Sequence, residues 1–148
     1  MTAVTFRVLA LSLAAFAGIA AGRAHVSLYD LLGGQDGVAH IANTLIDRVA
    51  TDPSLKRSFE GSNLRRIKTL LAEQICDLSG GPCHYSGDPM KEAHAGHHIS
   101  EAEFYGMVAA LRDVLKADHV GQGASNELLA LLAPMKRDIV EPASGQAK

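Results

Sequence analysis

The chain has 148 residues, of which 47% are hydrophobic and 20% are charged, so it is long enough for one folded domain and is not a disordered polymer. Fourteen Lys and Arg residues against sixteen Asp and Glu residues give a formal net charge of −2, which argues against a nucleic-acid partner bound through phosphate neutralisation. Two cysteines are too few for a disulfide scaffold or a four-cysteine metal cage. The sequence also lacks a phosphate-binding loop, a dinucleotide fingerprint and a nucleophile elbow.

Residues 1–24 differ in composition from the rest of the chain. Arg7 precedes an uncharged and mostly apolar run, Val8 to Gly22. This run is shorter than the roughly 20 residues that a membrane-spanning helix needs. We therefore expect a secretory signal peptide, cleaved after Ala24 or a few residues earlier, and a periplasmic or secreted mature protein. If the leader is retained, it is a membrane anchor, and it is the one membrane contact that the sequence predicts.

After the leader, the sequence predicts one domain over residues 25–141 and a flexible tail over residues 142–148. A first long helix is predicted to be capped by Asp36 and to end at Asp52-Pro53, since proline disfavours helix in the residue before it. Its apolar residues recur at steps of three and four, which places them on one face. They are Val38, Ile41, Ala42, Leu45, Ile46 and Val49.

A second long helix is predicted to begin near Ser62 or Asn63 and to stop at Gly80-Gly81-Pro82. Its apolar stripe consists of Leu64, Ile67, Leu70, Leu71, Ile75 and Leu78. An irregular stretch follows over residues 79–89. It is long for a connection in a compact domain, and connections of that length are often functional.

Three further helices complete the pattern. Pro89 is expected to open a short helix with Met90, Ala93, His94 and His97 on one face. Ser100 and Glu103 form a capping box for the next helix, whose inner side is Phe104, Met107, Val108, Leu111 and Leu115. A last helix is expected from about Ser125, with Leu128, Leu131, Leu132, Met135 and Ile139 facing inward and Pro134 interrupting it. No segment alternates like a β-strand, so the fold class is all-α.

His94 is the candidate functional residue of the short helix. A neutral imidazole on an apolar face suits the axial ligand of a haem iron, and its second ring N–H would be donated to a carbonyl one turn earlier, near Met90. Spacing alone leaves a histidine with an ordinary structural or surface role as the alternative.

A zinc or copper site is a second possibility, using Cys76, Cys83, His84 and the cluster of His94, His97 and His98. The signature for covalent haem attachment fails, because Gly80 stands where the first cysteine should be. Any haem would therefore be held non-covalently. Cys76 and Cys83 are either joined in a disulfide, which an exported protein permits, or remain as two thiols.

Several short motifs in order resemble the group 1 truncated haemoglobins, over about residues 27 to 141. They are Leu28-Tyr29-Asp30-Leu31-Leu32-Gly33-Gly34, Arg48-Val49 with Asp52-Pro53, Phe59-Glu60-Gly61, Gly80-Gly81-Pro82 with Tyr85-Ser86-Gly87, Met90-Lys91-Glu92-Ala93-His94, Ile99-Ser100 with Phe104, and Ala133-Pro134-Met135. The resemblance implies a truncated globin fold, in which two pairs of antiparallel helices sandwich a haem b.

The resemblance also implies roles for individual residues. His94 matches the proximal iron ligand, Phe59 the aromatic residue that packs on the porphyrin, and Tyr85 a region near the propionates. Lys68 is expected to pair with a propionate, with Arg65 and Arg66 as alternatives, and His97 or His98 either contacts a propionate or is exposed. The residues expected to contact haem are Phe59, Leu64, Ile67, Lys68, Leu71, Tyr85, Met90, His94, His97, Ile99, Phe104 and Val108.

The chain departs from the family pattern on the distal side. Many members carry a tyrosine and a glutamine there, whereas this chain has Ile46, Ile67 and Leu71. We therefore expect a protein that binds O₂, NO or CO but holds O₂ loosely. Dioxygenation of NO would be an enzymatic alternative, and it would need an external reductase, which the sequence does not identify.

Overall fold

The all-α expectation is confirmed for residues 26–141, which are the residues that the computed structural model describes, and no strand occurs among them. The leader predicted for residues 1–24 and the tail predicted for residues 142–148 lie outside this range. In chain order the helices are α1 (Leu28–Leu31), α2 (Gly34–Val49), α3 (Leu64–Leu78), α4 (Met90–His94), α5 (Glu101–Ala117), α6 (Gln122–Leu132) and α7 (Lys136–Ile139). Short 3₁₀ helices span Lys56–Phe59 and Ala133–Met135.

The helix starts follow local capping chemistry. The short helix α1 begins with a capping box, in which the Asp30 N–H donates to the Ser27 hydroxyl oxygen at 3.1 Å and the Ser27 N–H donates to the Asp30 carboxylate at 3.1 Å. The prediction that Asp36 caps α2 is wrong. The helix begins two residues earlier, after Gly33, whose φ of 91° is a left-handed conformation that glycine adopts without steric cost. Asp36 lies in the first turn, where its charge complements the helix dipole.

The core lies along α2. All six residues of its predicted apolar stripe are buried, and α2 packs against both α3 and α5. The pairs α2–α3 and α5–α6 form two layers of two helices. The largest fully buried side chains come from four of these helices: Ile41, Leu45, Ile46, Ile75, Leu115 and Leu128.

The last predicted helix is divided into three pieces. It begins at Gln122 rather than near Ser125, and Ser125 is buried inside it. Pro134 interrupts the helical pattern as predicted, because the chain changes to a 3₁₀ turn at Ala133–Met135 before α7. The assignment of Leu131 to the inner face is wrong, since 37% of the residue is exposed. Over the stretch 26–141, no helix combines the length and apolarity required to cross a bilayer.

Glu103 connects the start of α5 to the 3₁₀ helix that precedes α3. It completes the predicted capping box, because the Ser100 N–H donates to its carboxylate at 2.9 Å. Arg57 Nη2 lies 2.5 Å and the Ser58 hydroxyl 2.9 Å from the other carboxylate oxygen. Burial alone would raise the pKa of Glu103, but the hydrogen bonds from Ser100, Ser58 and Arg57 outweigh it and lower the pKa to about 2.

We predict that Glu103→Gln destabilises the fold at neutral pH. The folded pKa lies below the ordinary value of 4.5, so the carboxylate contributes stability that is present above about pH 4.5 and is lost as the pH falls towards 2. At full strength the shift would correspond to roughly 3 kcal/mol in the free energy of unfolding, and because solvent screens the carboxylate we expect about 1–2 kcal/mol. Urea unfolding followed by circular dichroism should show a smaller free energy for E103Q at pH 7 and a flatter pH dependence below pH 4.5.

Glu127→Gln is the matched control, because Glu127 is exposed on α6. It should reproduce the pH dependence of the unaltered chain. If E103Q instead loses stability in parallel with the unaltered chain as the pH falls, the Glu103 carboxylate is not the source of the acid sensitivity.

Candidate functional site

His94 lies at the last position of α4 and is half-buried. Its Nδ1 is 2.8 Å from the carbonyl oxygen of Met90, one turn earlier, as the sequence predicts. A carbonyl can only accept, so the neutral ring carries its proton on Nδ1 and keeps a lone pair on Nε2. In the part of the chain that the structure describes, Nε2 has no hydrogen-bond partner. The imidazole is therefore fixed in the tautomer that a metal ligand requires.

One face of α3 is turned towards the helix that carries His94. Ile67, Leu71 and Gln74 follow at steps of four and three, so they share that face. The Gln74 amide nitrogen lies 3.3 Å from the Met90 sulfur and 3.6 Å from the Met135 sulfur. Because Gln74 contacts Met90 of α4, Ile67 and Leu71 lie on the side of α3 that faces α4.

Gln74 is not among the site residues predicted from the sequence, because the helical pattern of α3 is defined by its apolar residues. The signal that would have found it is its position three residues after Leu71 on the same face. Sulfur is a weak acceptor, so the contacts of Gln74 satisfy its amide only in part.

The apolar residues of α4 and α5 that are predicted to contact haem are less deeply buried than the core. Phe104 and Val108 lie one turn apart on α5. Both are half-buried and lie outside the main apolar cluster, and the same is true of Met90 on α4. Incompletely packed apolar side chains on α4 and α5, together with the oriented imidazole of His94, fit a flat, mostly apolar group with a metal at its centre. The residues present therefore fit a haem.

The predicted contact residues differ widely in burial. Those that are half-buried are Phe59, Leu64, Ile67, Lys68, Leu71, Tyr85, Met90, His94, Phe104 and Val108. Ile99 is buried, with 8% exposure, and on the predicted distal side Ile46 is buried in α2, with 1% exposure.

His97 does not share the helical face of His94, and that prediction is wrong. The helix stops at His94, and Gly96 follows with a φ of 77°, so the chain turns away before it reaches His97. His97 is exposed, which matches the alternative that the sequence left open for it.

Lys68 is engaged by the neighbouring helix. Its Nζ lies 2.5 Å from a carboxylate oxygen of Asp47 on α2, and 22% of its side chain is exposed. Arg65 and Arg66 are exposed at the start of α3. Contact between any of these three cations and a propionate stays a prediction.

The irregular segment over residues 79–89 is attached to α3 at three points. Cys76 and Cys83 form a disulfide, the Tyr85 N–H donates to the Asp77 carboxylate at 3.0 Å, and the Ser86 N–H donates to Glu73 at 3.0 Å. The Ser86 hydroxyl also donates to Glu73 at 2.6 Å. Hydrogen bonds from Ser86 lower the pKa of Glu73. The segment is thus held in place where it leads into α4.

Tyr85 is oriented within this segment by its own hydroxyl, which donates to the carbonyl of Asp88 at 3.0 Å. Burial raises the pKa of the Tyr85 hydroxyl, and the negative charges of Asp88 and Glu73 add to the effect. The hydroxyl therefore remains protonated, and is a donor, at neutral pH.

Of the two states expected for Cys76 and Cys83, the structure has the disulfide. Neither cysteine is therefore available as a thiolate ligand for the zinc or copper site considered above. Over residues 26–141, no three His, Cys, Asp or Glu side chains are grouped closely enough to hold a metal ion. That alternative has no support in the described part of the chain.

Comparisons with known proteins agree with this geometry. The sequence model for the bacterial-like globin family matches residues 27–141. The group 1 truncated hemoglobin GlbN of Mycolicibacterium paratuberculosis is 34% identical over 121 residues, which cover 81% of this chain and 88% of that protein. The group 1 truncated hemoglobin of Tetrahymena pyriformis is 25% identical over 77% of this chain and 94% of its own length.

Solved structures share the fold. The truncated hemoglobin of Tetrahymena pyriformis, crystallised in the Fe(III) form, superposes with a TM-score of 0.74 at 24% identity, covering 78% of this chain and 99% of that one. The 2/2 hemoglobin of Synechococcus, in the cyanomet state with covalently attached heme, gives a TM-score of 0.72 at 21% identity, covering 77% and 98%. Two-over-two helical packing is therefore the fold of this chain.

Proposed function

This chain belongs to the bacterial-like globin family, among the group 1 truncated haemoglobins, and membership implies haem binding; on that premise we propose that it holds haem b non-covalently through His94 and binds the diatomic gases O₂, NO and CO. The observation that carries the proposal is the hydrogen bond from His94 Nδ1 to the Met90 carbonyl, which leaves Nε2 with its lone pair. Bound there, haem would supply an iron that takes up diatomic ligands.

The chain's own residues would hold the group by apolar packing. Ile67 and Leu71 on α3 and Phe104 and Val108 on α5 are half-buried side chains that a porphyrin would cover. Non-covalent attachment is supported by the cysteines, since both sulfurs are joined to each other and the sequence has no covalent haem signature.

We predict that His94→Ala removes the axial ligand, so that haem is lost to apomyoglobin at least about tenfold faster, as for disruption of other metal–ligand sets. The measurement is the Soret band during haem transfer. His94→Gly with added imidazole should recover a five-coordinate ferrous spectrum. His40→Ala is the control, because His40 is an exposed histidine on α2 that is not among the predicted haem contacts. A His94→Ala protein that keeps the unaltered spectrum and retention would exclude His94 as the ligand.

The distal side supports loose retention of O₂. Ile46, Ile67 and Leu71 have no polar atoms to offer a ligand. The Lys68 ammonium is held by Asp47, and the Gln74 amide is directed at two sulfurs. O₂ draws negative charge when it binds to a ferrous haem, so it gains more from a hydrogen-bond donor than CO does.

We predict that Ile46→Tyr slows the dissociation of O₂ by roughly ten- to a hundredfold, because a hydrogen bond to a charged acceptor contributes about 1.5–3 kcal/mol. Dissociation of CO should change little. Stopped-flow replacement of O₂ by CO measures the rate. Ile46→Phe is the matched control, since it supplies the ring without the hydroxyl. Equal O₂ rates in I46F and I46Y would contradict the role of the donor.

We further propose that the protein is exported. The apolar leader supports this, and so does the Cys76–Cys83 disulfide, because disulfides persist in oxidising compartments and are rare in the cytosol.

For the exported protein, we predict a chain that begins near residue 25 and whose two cysteines resist alkylation until a reductant is added. Mass spectrometry of an envelope extract measures both. The same chain without residues 2–24, retained in the cytosol, should be alkylated at both cysteines. Recovery of an uncleaved chain with free thiols from the cytosolic fraction would contradict export.

A further inference from the structure

The turn that follows His94 has an unusual backbone. Gly96 has a φ of 77° and His98 a φ of 51°, and a left-handed conformation is uncommon for a residue with a side chain. Such a turn directs some of its N–H groups away from the helix it leaves. A contact from elsewhere in the chain must therefore hold it.

Glu141, at the end of the described chain, supplies that contact. One of its carboxylate oxygens accepts from the Gly96 N–H at 2.8 Å and from the His98 N–H at 3.3 Å. The other lies 2.7 Å from His98 Nδ1, and the Glu141 N–H donates to the Ile99 carbonyl at 2.9 Å. The amides of residues 96 and 98 are both aimed at one carboxylate and form an anion-binding concavity, here filled by the chain itself.

The remaining amides of the turn are paired locally. The Ala95 N–H donates to the Glu92 carbonyl at 3.4 Å, and the His97 N–H donates to the His94 carbonyl at 3.1 Å. In the described chain, the Gly96 and His98 amides have no acceptor other than Glu141. Residues 95–98 are exposed, so without the Glu141 carboxylate these two amides would bind water and the turn would lose its link to the end of the described chain.

A second contact holds the turn from the opposite direction. Arg57 Nη2 lies 3.2 Å from the carbonyl of His98 and is itself paired with Glu103. Arg57 binds a carbonyl of the turn, whereas Glu141 binds its amides. The two contacts are thus complementary, and in the described chain Glu141 alone accepts from the N–H groups of Gly96 and His98.

The helix before the turn depends on its neighbours for its position. Helix α4 has five residues, which is too short to be stable without tertiary contacts. The N-terminus of α4 follows the segment that the disulfide and Glu73 attach to α3. Its C-terminus leads directly into the turn that Glu141 holds. A shift of the turn is therefore transmitted to His94, one residue away from it.

We propose that Glu141 is a positioning residue for His94, which holds the turn over residues 95–98 closed so that the imidazole keeps its direction towards the iron. The proposal rests on the proposed function for the identity of the ligand. It goes beyond that function in assigning the control of ligand geometry to a carboxylate more than forty residues away in the sequence.

The experiment compares Glu141→Ala, Glu141→Gln and Glu141→Asp in the holoprotein. Asp138→Ala is the matched control, because Asp138 is an exposed acidic residue of α7, three positions before Glu141 in the sequence. Three readouts are needed: hydrogen exchange of the Gly96 and His98 amides in the ferrous CO form, haem transfer to apomyoglobin, and the iron–histidine stretching band of the ferrous protein.

We expect E141A to speed exchange at both amides, to speed haem loss by about 10- to 100-fold, as for other residues that orient metal ligands, and to shift or broaden the stretching band. E141Q should restore the amide protection and the band, because its amide oxygen accepts the same two N–H groups. D138A should behave as the unaltered protein does.

The outcomes separate this proposal from the proposed function. Faster amide exchange in E141A with an unchanged stretching band and unchanged haem loss would overturn the positioning role. If E141A fails to fold, E141D preserves the charge but shortens its reach, and an unaltered stretching band and haem loss in E141D would overturn the proposal equally. Failure of the proposed function would be seen separately, as haem binding unaffected by His94→Ala.

Discussion

The hydrogen bond between His94 Nδ1 and the Met90 carbonyl is the interaction on which the site depends. It joins two residues one turn apart, so it exists only where the chain between them is helical. The helix that provides this geometry is a single turn, and a turn of that length has little stability of its own. The surrounding structure must therefore supply the order that the imidazole needs, and the contacts on both sides of α4 do so.

Those contacts are polar and lie at the surface, whereas the contacts that define the fold are apolar and lie along α2. The core is complete without α4: its fully buried side chains come from α2, α3, α5 and α6. Phe104 and Val108 on α5 lie outside the main core cluster, whereas Ile67 and Leu71 on α3 pack against its edge and stay half-buried, so these side chains retain surface that a ligand can cover. A mutation in Leu45 would affect the fold, and one in Phe104 would affect the site.

Periodicity was enough to predict the long helices, because each has an apolar stripe and a glycine or proline near its end. The capping box formed by Ser100 and Glu103 could be predicted equally well, since the two residues contact each other within one helical turn. The sequence was less informative where distant segments meet. The spacing of Gln74 places it on the face of Leu71 but does not indicate its two sulfur partners. Nothing in the position of Glu141, 45 residues after Gly96, indicates its contact, because it acts across the tertiary structure. The placement of His97 failed for a local reason: periodicity does not show that Gly96 ends the helix in a left-handed conformation.

The two ends of α4 are held by different chemistry, and the difference has a physical consequence. The preceding segment is tied by a covalent bond between Cys76 and Cys83 as well as by carboxylates, so that attachment persists while the disulfide is oxidised. The following turn is tied by hydrogen bonds to one carboxylate and one guanidinium, which exchange with water more readily. Burial tends to raise the pKa of Glu141, but hydrogen bonds from Gly96 and His98 lower it, so the carboxylate is ionised at neutral pH. Local opening near His94 is therefore expected on the side of the turn, where Glu141 and Arg57 supply the contacts that must break.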